Sequence, residues 1–143
     1  MVPQVAATPC YSGREPAIRE NPWAEAAVLG LHQFGEQLSK REEALPPHAL
    51  DQMWLSAVLL VVEAMTMGFS HVRRCTLEGR AAMSNDVSYV GKAVRQLAPP
   101  TVCEPALASL RRADDYVRAY YLPWDELTRF CQLQFCAFGL VRL

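Results

Sequence analysis

His71 and Cys75 stand four residues apart, a spacing that brings two side chains onto one face of a helix. Such a pair has two chemical uses. It can supply half of a tetrahedral zinc site, or it can form a thiol nucleophile with a base one turn away, its thiolate favoured by a helix start and by nearby Arg73 and Arg74. Both uses are incomplete here. Neither His32 nor His48 has a second ligand type beside it, so the zinc set stops at two. The thiol lacks an assignable orienting group and oxyanion donor. Asp114 and Asp115 are adjacent and therefore point to different sides of a helix, which rules out a paired acid and base. With Arg111, Arg112 and Arg118 around them they read as a solvated face. The expectation is a chain with no catalytic residues and no metal site, whose work is binding.

Two blocks must then be positioned, RCTLEGRAAM (residues 74–83) and YVRAYYLP (residues 116–123). In the first, Arg73 and Arg74 suit the last turn of a helix, where positive charge meets unpaired carbonyls. Thr76 suits the N-cap of the next helix, with Glu78 in its first turn. Gly79 and Ala82 are small enough for close approach of another helix, although Gly79 would cost about 1 kcal/mol against Ala within one continuous helix. A helix-to-helix junction near Cys75 and Thr76 is the expectation. In the second block Tyr116, Tyr120 and Tyr121 combine an apolar body with a polar tip, which suits a core edge or a protein interface.

The elements around these blocks follow from periodicity. Residues 1–20 hold Pro3, Pro9, Gly13 and Pro16 without a sustained apolar period and read as a flexible leader. Asn21 can cap a helix that starts at Pro22 and carries Trp23, Ala27, Leu31, Phe34 and Leu38 on one face, running to about Arg41. After Pro46 and Pro47, a long helix carries Leu50, Trp54, Ala57, Val61, Met65, Gly68 and Val72, its stripe broadened by Leu59, Leu60 and Val62. A third carries Met83, Val87, Val90, Val94 and Leu97. Pro99, Pro100 and Pro105 predict a loop. A fourth helix follows with Leu107, Leu110, Ala113, Val117 and Tyr120, and Pro123 separates it from a fifth with Trp124, Leu127, Phe130 and Cys131 on its apolar side. The fold class is all-α, a bundle or rod-like array of about five helices. Its expected divisions are the leader at 1–20, a helical domain at 21–130 and an apolar tail at 131–143.

Composition narrows the class of partner. The chain has 143 residues, 51% of them hydrophobic, enough for one ordinary core. Lys and Arg number 14 against 15 Asp and Glu, a net charge of -1, so no basic footprint points to nucleic acid or an acidic membrane surface. Five cysteines without a CxxC pair read as reduced intracellular thiols. The apolar stretch from Met53 to Phe69 is interrupted by Ser56, Glu63 and Thr66 and reads as a buried helix rather than a membrane span.

The two blocks also carry a resemblance. Arg73, Arg74, Cys75, Thr76, Glu78, Gly79, Arg80, Ala81 and Met83, followed by Ala119, Tyr120, Tyr121, Leu122, Asp125 and Glu126, resemble the C-terminal domain of the syndetin family; Leu45, Pro46 and Trp54 are less specific matches. The resemblance covers about residues 22–130. Pro123 stands where that family usually has Thr, the stretch from Ala98 to Pro105 differs, and the tail CQLQFCAFGLVRL lacks the family's charged helical continuation. The resemblance implies a non-catalytic subunit without a cofactor, or a fragment of one, in the endosome-associated recycling protein complex, a vesicle tether of endocytic recycling. It further implies a cytoplasmic location, peripheral on recycling endosomes or trans-Golgi membranes, with membrane association indirect. The implied partners are other tethering subunits through helical contacts, and SNARE proteins or small GTPases. The candidate partner-binding residues are Arg74, Arg80, Tyr120 and Tyr121. A small intracellular α-helical adaptor, unrelated to tethering, is the alternative.

Overall fold

The structure is a computed structural model that describes residues 11, 21–72, 75–119 and 121–137, with side chains described to residue 132. It is an all-α bundle of five helices, and among the described residues there is no strand. In chain order they are α1 (Pro22–Ser39), α2 (Pro47–Ser70), α3 (Leu77–Leu97), α4 (Pro100–Ala119) and α5 (Trp124–Ala137). The main contacts run α1 to α2, α2 to α4, α4 to α3 and α3 back to α1. Four helices thus close a ring, with α2 and α3 across its diagonal although only residues 71–76 join them.

Each helix starts where backbone chemistry dictates. Pro22, Pro47 and Pro100 each occupy the first helical position, where no intrahelical partner exists for the N–H that proline lacks. Thr76 caps α3 as its sequence predicts: Gly79 N donates to Thr76 Oγ1 at 3.0 Å. The cap expected of Asn21 does not form. Its backbone is extended as at an N-cap, but its side chain is drawn to a buried carboxyl on α3.

The core takes one stripe from each of the four packed helices. On α1 it is Trp23, Ala24, Ala27, Leu31 and Leu38, and on α3 it is Met83, Val87, Val90 and Val94 with Ala82 and Ala93. On α2 the fully buried line is Trp54, Val58, Val62, Met65 and Phe69. Leu60, expected to broaden that stripe inward, is 66% exposed, because it lies on a side of α2 that none of the described helices covers. α2 is long and apolar enough to cross a membrane by length and composition, a test that the core helix of a bundle also passes.

The proline-rich stretch around Pro99 and Pro105 differs from the predicted loop. α4 begins at Pro100 and runs through Pro105, with Val102 N and Cys103 N both donating to Pro99 O at 3.0 Å. An interior proline forfeits the bond to the carbonyl four residues back. That carbonyl belongs to Thr101, an exposed residue, so water can satisfy it. Meanwhile Val102, Ala106, Ser109, Leu110, Ala113 and Val117 are buried against α2 and α3, and this packing outweighs the local penalty.

The segment 1–20, expected to be a flexible leader, contributes a residue to this core. Tyr11 is fully buried, with its ring edge-on to Phe69 at 5.7 Å between centroids. Residues 1–10 and 12–20, like 73, 74, 120 and 138–143, lie outside the described residues.

Candidate functional site

The two blocks meet. Arg80, one turn into α3, places its guanidinium carbon 4.5 Å from the centre of the Tyr121 ring in the turn between α4 and α5. A cation over an aromatic face at this distance contributes about 0.5–1 kcal/mol at a partly exposed site. Tyr121 reaches that position because Tyr121 N and Leu122 N donate back to Arg118 O and Ala119 O, closing a tight turn at the end of α4. Pro123 follows, and its carbonyl accepts from Leu127 N at 2.8 Å to start α5. Pro123 therefore takes over, through its backbone, the start of the helix.

Apolar side chains within three residues of this contact in the chain are exposed. Leu77, one turn before Arg80, is 59% exposed; Tyr121 is half exposed and Trp124 is 82% exposed. Leu127, Phe130 and Cys131 are only partly covered. Trp124, expected with them on the apolar side of the fifth helix, faces solvent, because α5 has no interhelical contact as extensive as those of the ring. Exposed tryptophan, tyrosine and leucine around an arginine have the composition of a protein-binding surface. Of the residues singled out in sequence, Arg80 and Tyr121 are brought together, whereas Arg74 and Tyr120 lie outside the described residues.

The thiol chemistry considered for Cys75 does not assemble. His71 is exposed, and its Nδ1 is 2.7 Å from the Met67 carbonyl, which it can cap as an N–H donor at the end of α2. Cys75 Sγ donates to Thr76 O at 3.6 Å. Burial pushes the Cys75 thiol up, and Arg80 offsets this only in part. The expectation that arginines and a helix start would favour the thiolate is thus reversed, because desolvation outweighs the nearby charge. Alkylation of Cys75 by iodoacetamide near pH 8, followed peptide by peptide, is expected to be slower in the folded chain than in urea and to accelerate at higher pH. Arg80→Ala slows it further by removing the charge that favours the thiolate. Equal rates in folded and unfolded chains would contradict this environment. Among the described residues no group of three or more His, Cys, Asp or Glu is placed to hold a metal ion. Asp114 pairs with Arg118 at 2.8 Å across one helical turn, a surface ion pair.

Sequence reasoning missed a second cluster, buried around Asp86. Asp86 is 1% exposed and accepts from Tyr11 Oη at 2.5 Å, from Asn21 N at 3.1 Å and from Asn21 Nδ2 at 2.6 Å. Trp23 Nε1 in turn donates to Tyr11 Oη at 2.9 Å. One signal could have found it: Asp86 lies three residues after Met83 and four before Val90, a carboxyl on the apolar face of α3.

Comparisons with known proteins point to one family. The family described as "Syndetin, C-terminal" matches residues 3–138, which takes in most of the segment expected as a leader and part of the tail. Syndetin from Mus musculus is 23% identical over 114 residues, covering 78% of this chain and 11% of its own length. Syndetin from Rattus norvegicus matches with the same identity and coverage. The chain thus spans about a tenth of the length of these curated relatives. No solved structure matches. With nearly its whole length matched by the family model, the chain belongs to the syndetin C-terminal family.

Proposed function

We propose that this chain acts through protein-protein contacts as a non-catalytic subunit, or part of one, of a vesicle-tethering complex in endocytic recycling. The family match over residues 3–138 carries this reading. The surface of Arg80, Tyr121, Leu77 and Trp124 supports it, since exposed aromatic and apolar side chains beside a cation suit a helical partner. Arg74 and Tyr120, which belong to the same two sequence blocks, are the further candidate contact residues of this reading. The partners are other tethering subunits, with SNARE proteins or small GTPases engaged in the assembled complex. The protein works in the cytoplasm, held indirectly on recycling endosomes.

Affinity capture of the chain from cells tests the proposal. The expected result is recovery of the tethering subunits that the recycling complex shares with its Golgi-associated sister. Arg80→Glu is expected to reduce that recovery at least about tenfold, the loss produced by a hot-spot residue, without changing helicity by circular dichroism. Capture that brings down none of these subunits rejects the tethering role. Capture unchanged by Arg80→Glu moves the contact elsewhere on the domain.

A further inference from the structure

Tyr11 sits in a site built from three helices. Phe69 at the end of α2 meets its ring edge-on, and Trp23 of α1 stands edge-on to Phe69 at 6.0 Å. The phenol oxygen has a donor and an acceptor in place: Trp23 Nε1 donates to it, and it donates to Asp86 Oδ2. Asn21 supplies two further donors to the same carboxyl. The backbone is held as well, because Thr76 N donates to Tyr11 O at 3.2 Å.

Gly79 is shaped to this segment. A Cβ added there would fall 2.8 Å from Tyr11 Cα and closer still to its carbonyl. The obstacle is backbone, which cannot swing aside as a flexible side chain can. The glycine in the first block therefore admits the Tyr11 backbone, and the neighbouring Thr76 holds it by a main-chain hydrogen bond.

We propose that Asp86, Asn21, Trp23, Phe69, Thr76 and Gly79 form a binding site for a peptide segment bearing an unmodified tyrosine, occupied in this chain by its own Tyr11. The chemistry selects the ligand. Phenylalanine fills the ring space but leaves Asp86 and Trp23 each short of a partner, a mismatch that buried polar groups penalise. Phosphotyrosine is excluded, because a phosphate adds about -1.5 to -2 charges and three acceptor oxygens at the point where an acceptor carboxyl already stands, in a space closed to water. The site thus distinguishes tyrosine from its phosphorylated form, and a phosphorylated Tyr11 cannot occupy it.

The indole N–H of Trp23 reports occupancy directly, since Tyr11 Oη is its acceptor. In the full chain, Tyr11→Phe is expected to raise the hydrogen-exchange rate of that indole N–H roughly tenfold or more, while amides of α3 and α4 keep their protection. Gly79→Ala is expected to do the same by blocking the segment; Tyr11→Phe provides the reading should Gly79→Ala fail to fold. A peptide spanning residues 5–17, added at millimolar concentration to the Tyr11→Ala chain, restores the Trp23 protection, and its phosphotyrosine counterpart does not. Unchanged exchange in Tyr11→Phe overturns the assigned role of the phenol. Failure of the tyrosine peptide to restore protection overturns the binding site, and equal restoration by the phosphopeptide overturns its selectivity.

Discussion

Trp54→Ala is expected to destabilise the chain by about 3–5 kcal/mol, the range for truncating a large buried aromatic, and to lower its melting temperature by roughly 10 °C. Trp54 is 6% exposed on the buried line of α2. Its ring stands edge-on to Phe34 at 5.8 Å, a geometry that adds about 0.5–1.5 kcal/mol to the area it buries. Gly35 is its seat on α1: a Cβ there would lie 2.7 Å from Trp54 Cζ2. The indole thus fixes the spacing of α1 and α2 near the N-terminal end of α2, and removing it leaves a void that neither backbone can close. Leu60→Ala is the control. On the uncovered side of the same helix, it is expected to change stability by no more than about 0.5 kcal/mol. Urea unfolding of both variants checks the pair, and similar midpoints for Trp54→Ala and the unaltered chain would remove Trp54 from the core.

Asp86→Ala is expected to cost about 3 kcal/mol or more for a different reason. The substitution removes little volume but takes the acceptor from Tyr11 Oη, Asn21 N and Asn21 Nδ2 together. A donor left buried without a partner costs about 1–3 kcal/mol, and three share this one carboxyl. The losses are not additive, since an unlatched N-terminal segment can rehydrate its own groups. A double-mutant cycle with Tyr11→Phe measures that coupling: the combined loss is expected to fall short of the sum of the single losses, because both remove the same hydrogen bond. Simple additivity would show that Tyr11 and Asp86 act independently. Asp86→Asn keeps the shape but turns an amide donor toward other donors, and is expected to recover only part of the stability.

The helices were legible in the chain because their apolar residues recur at three and four. Trp23, Ala27, Leu31 and Leu38 on α1 and Met83, Val87, Val90 and Val94 on α3 are buried as their spacing demands. Thr76 was legible as a cap because capping depends on one side chain and an N–H three residues away. Pro100 and Pro105 were misleading, since proline weakens a helix locally while burial of Val102, Ala106 and Leu110 stabilises it from a distance. Cys75 was misleading in the same way: its arginine neighbours are adjacent in sequence, but its burial is set by packing.

The amino-acid sequence by itself determined the all-α class, the starts of α1, α2 and α3 and the two blocks that point to the syndetin C-terminal family. These depend on interactions within a few residues, or on residue patterns. Tertiary structure alone decided that Arg80 lies over Tyr121 across 41 positions of chain, that Tyr11 reaches Asp86 across 75, and that Gly79 serves a crossing backbone rather than a neighbouring helix. Such contacts form only when the helices close their ring, because burial of one shared core brings together side chains that no local spacing relates.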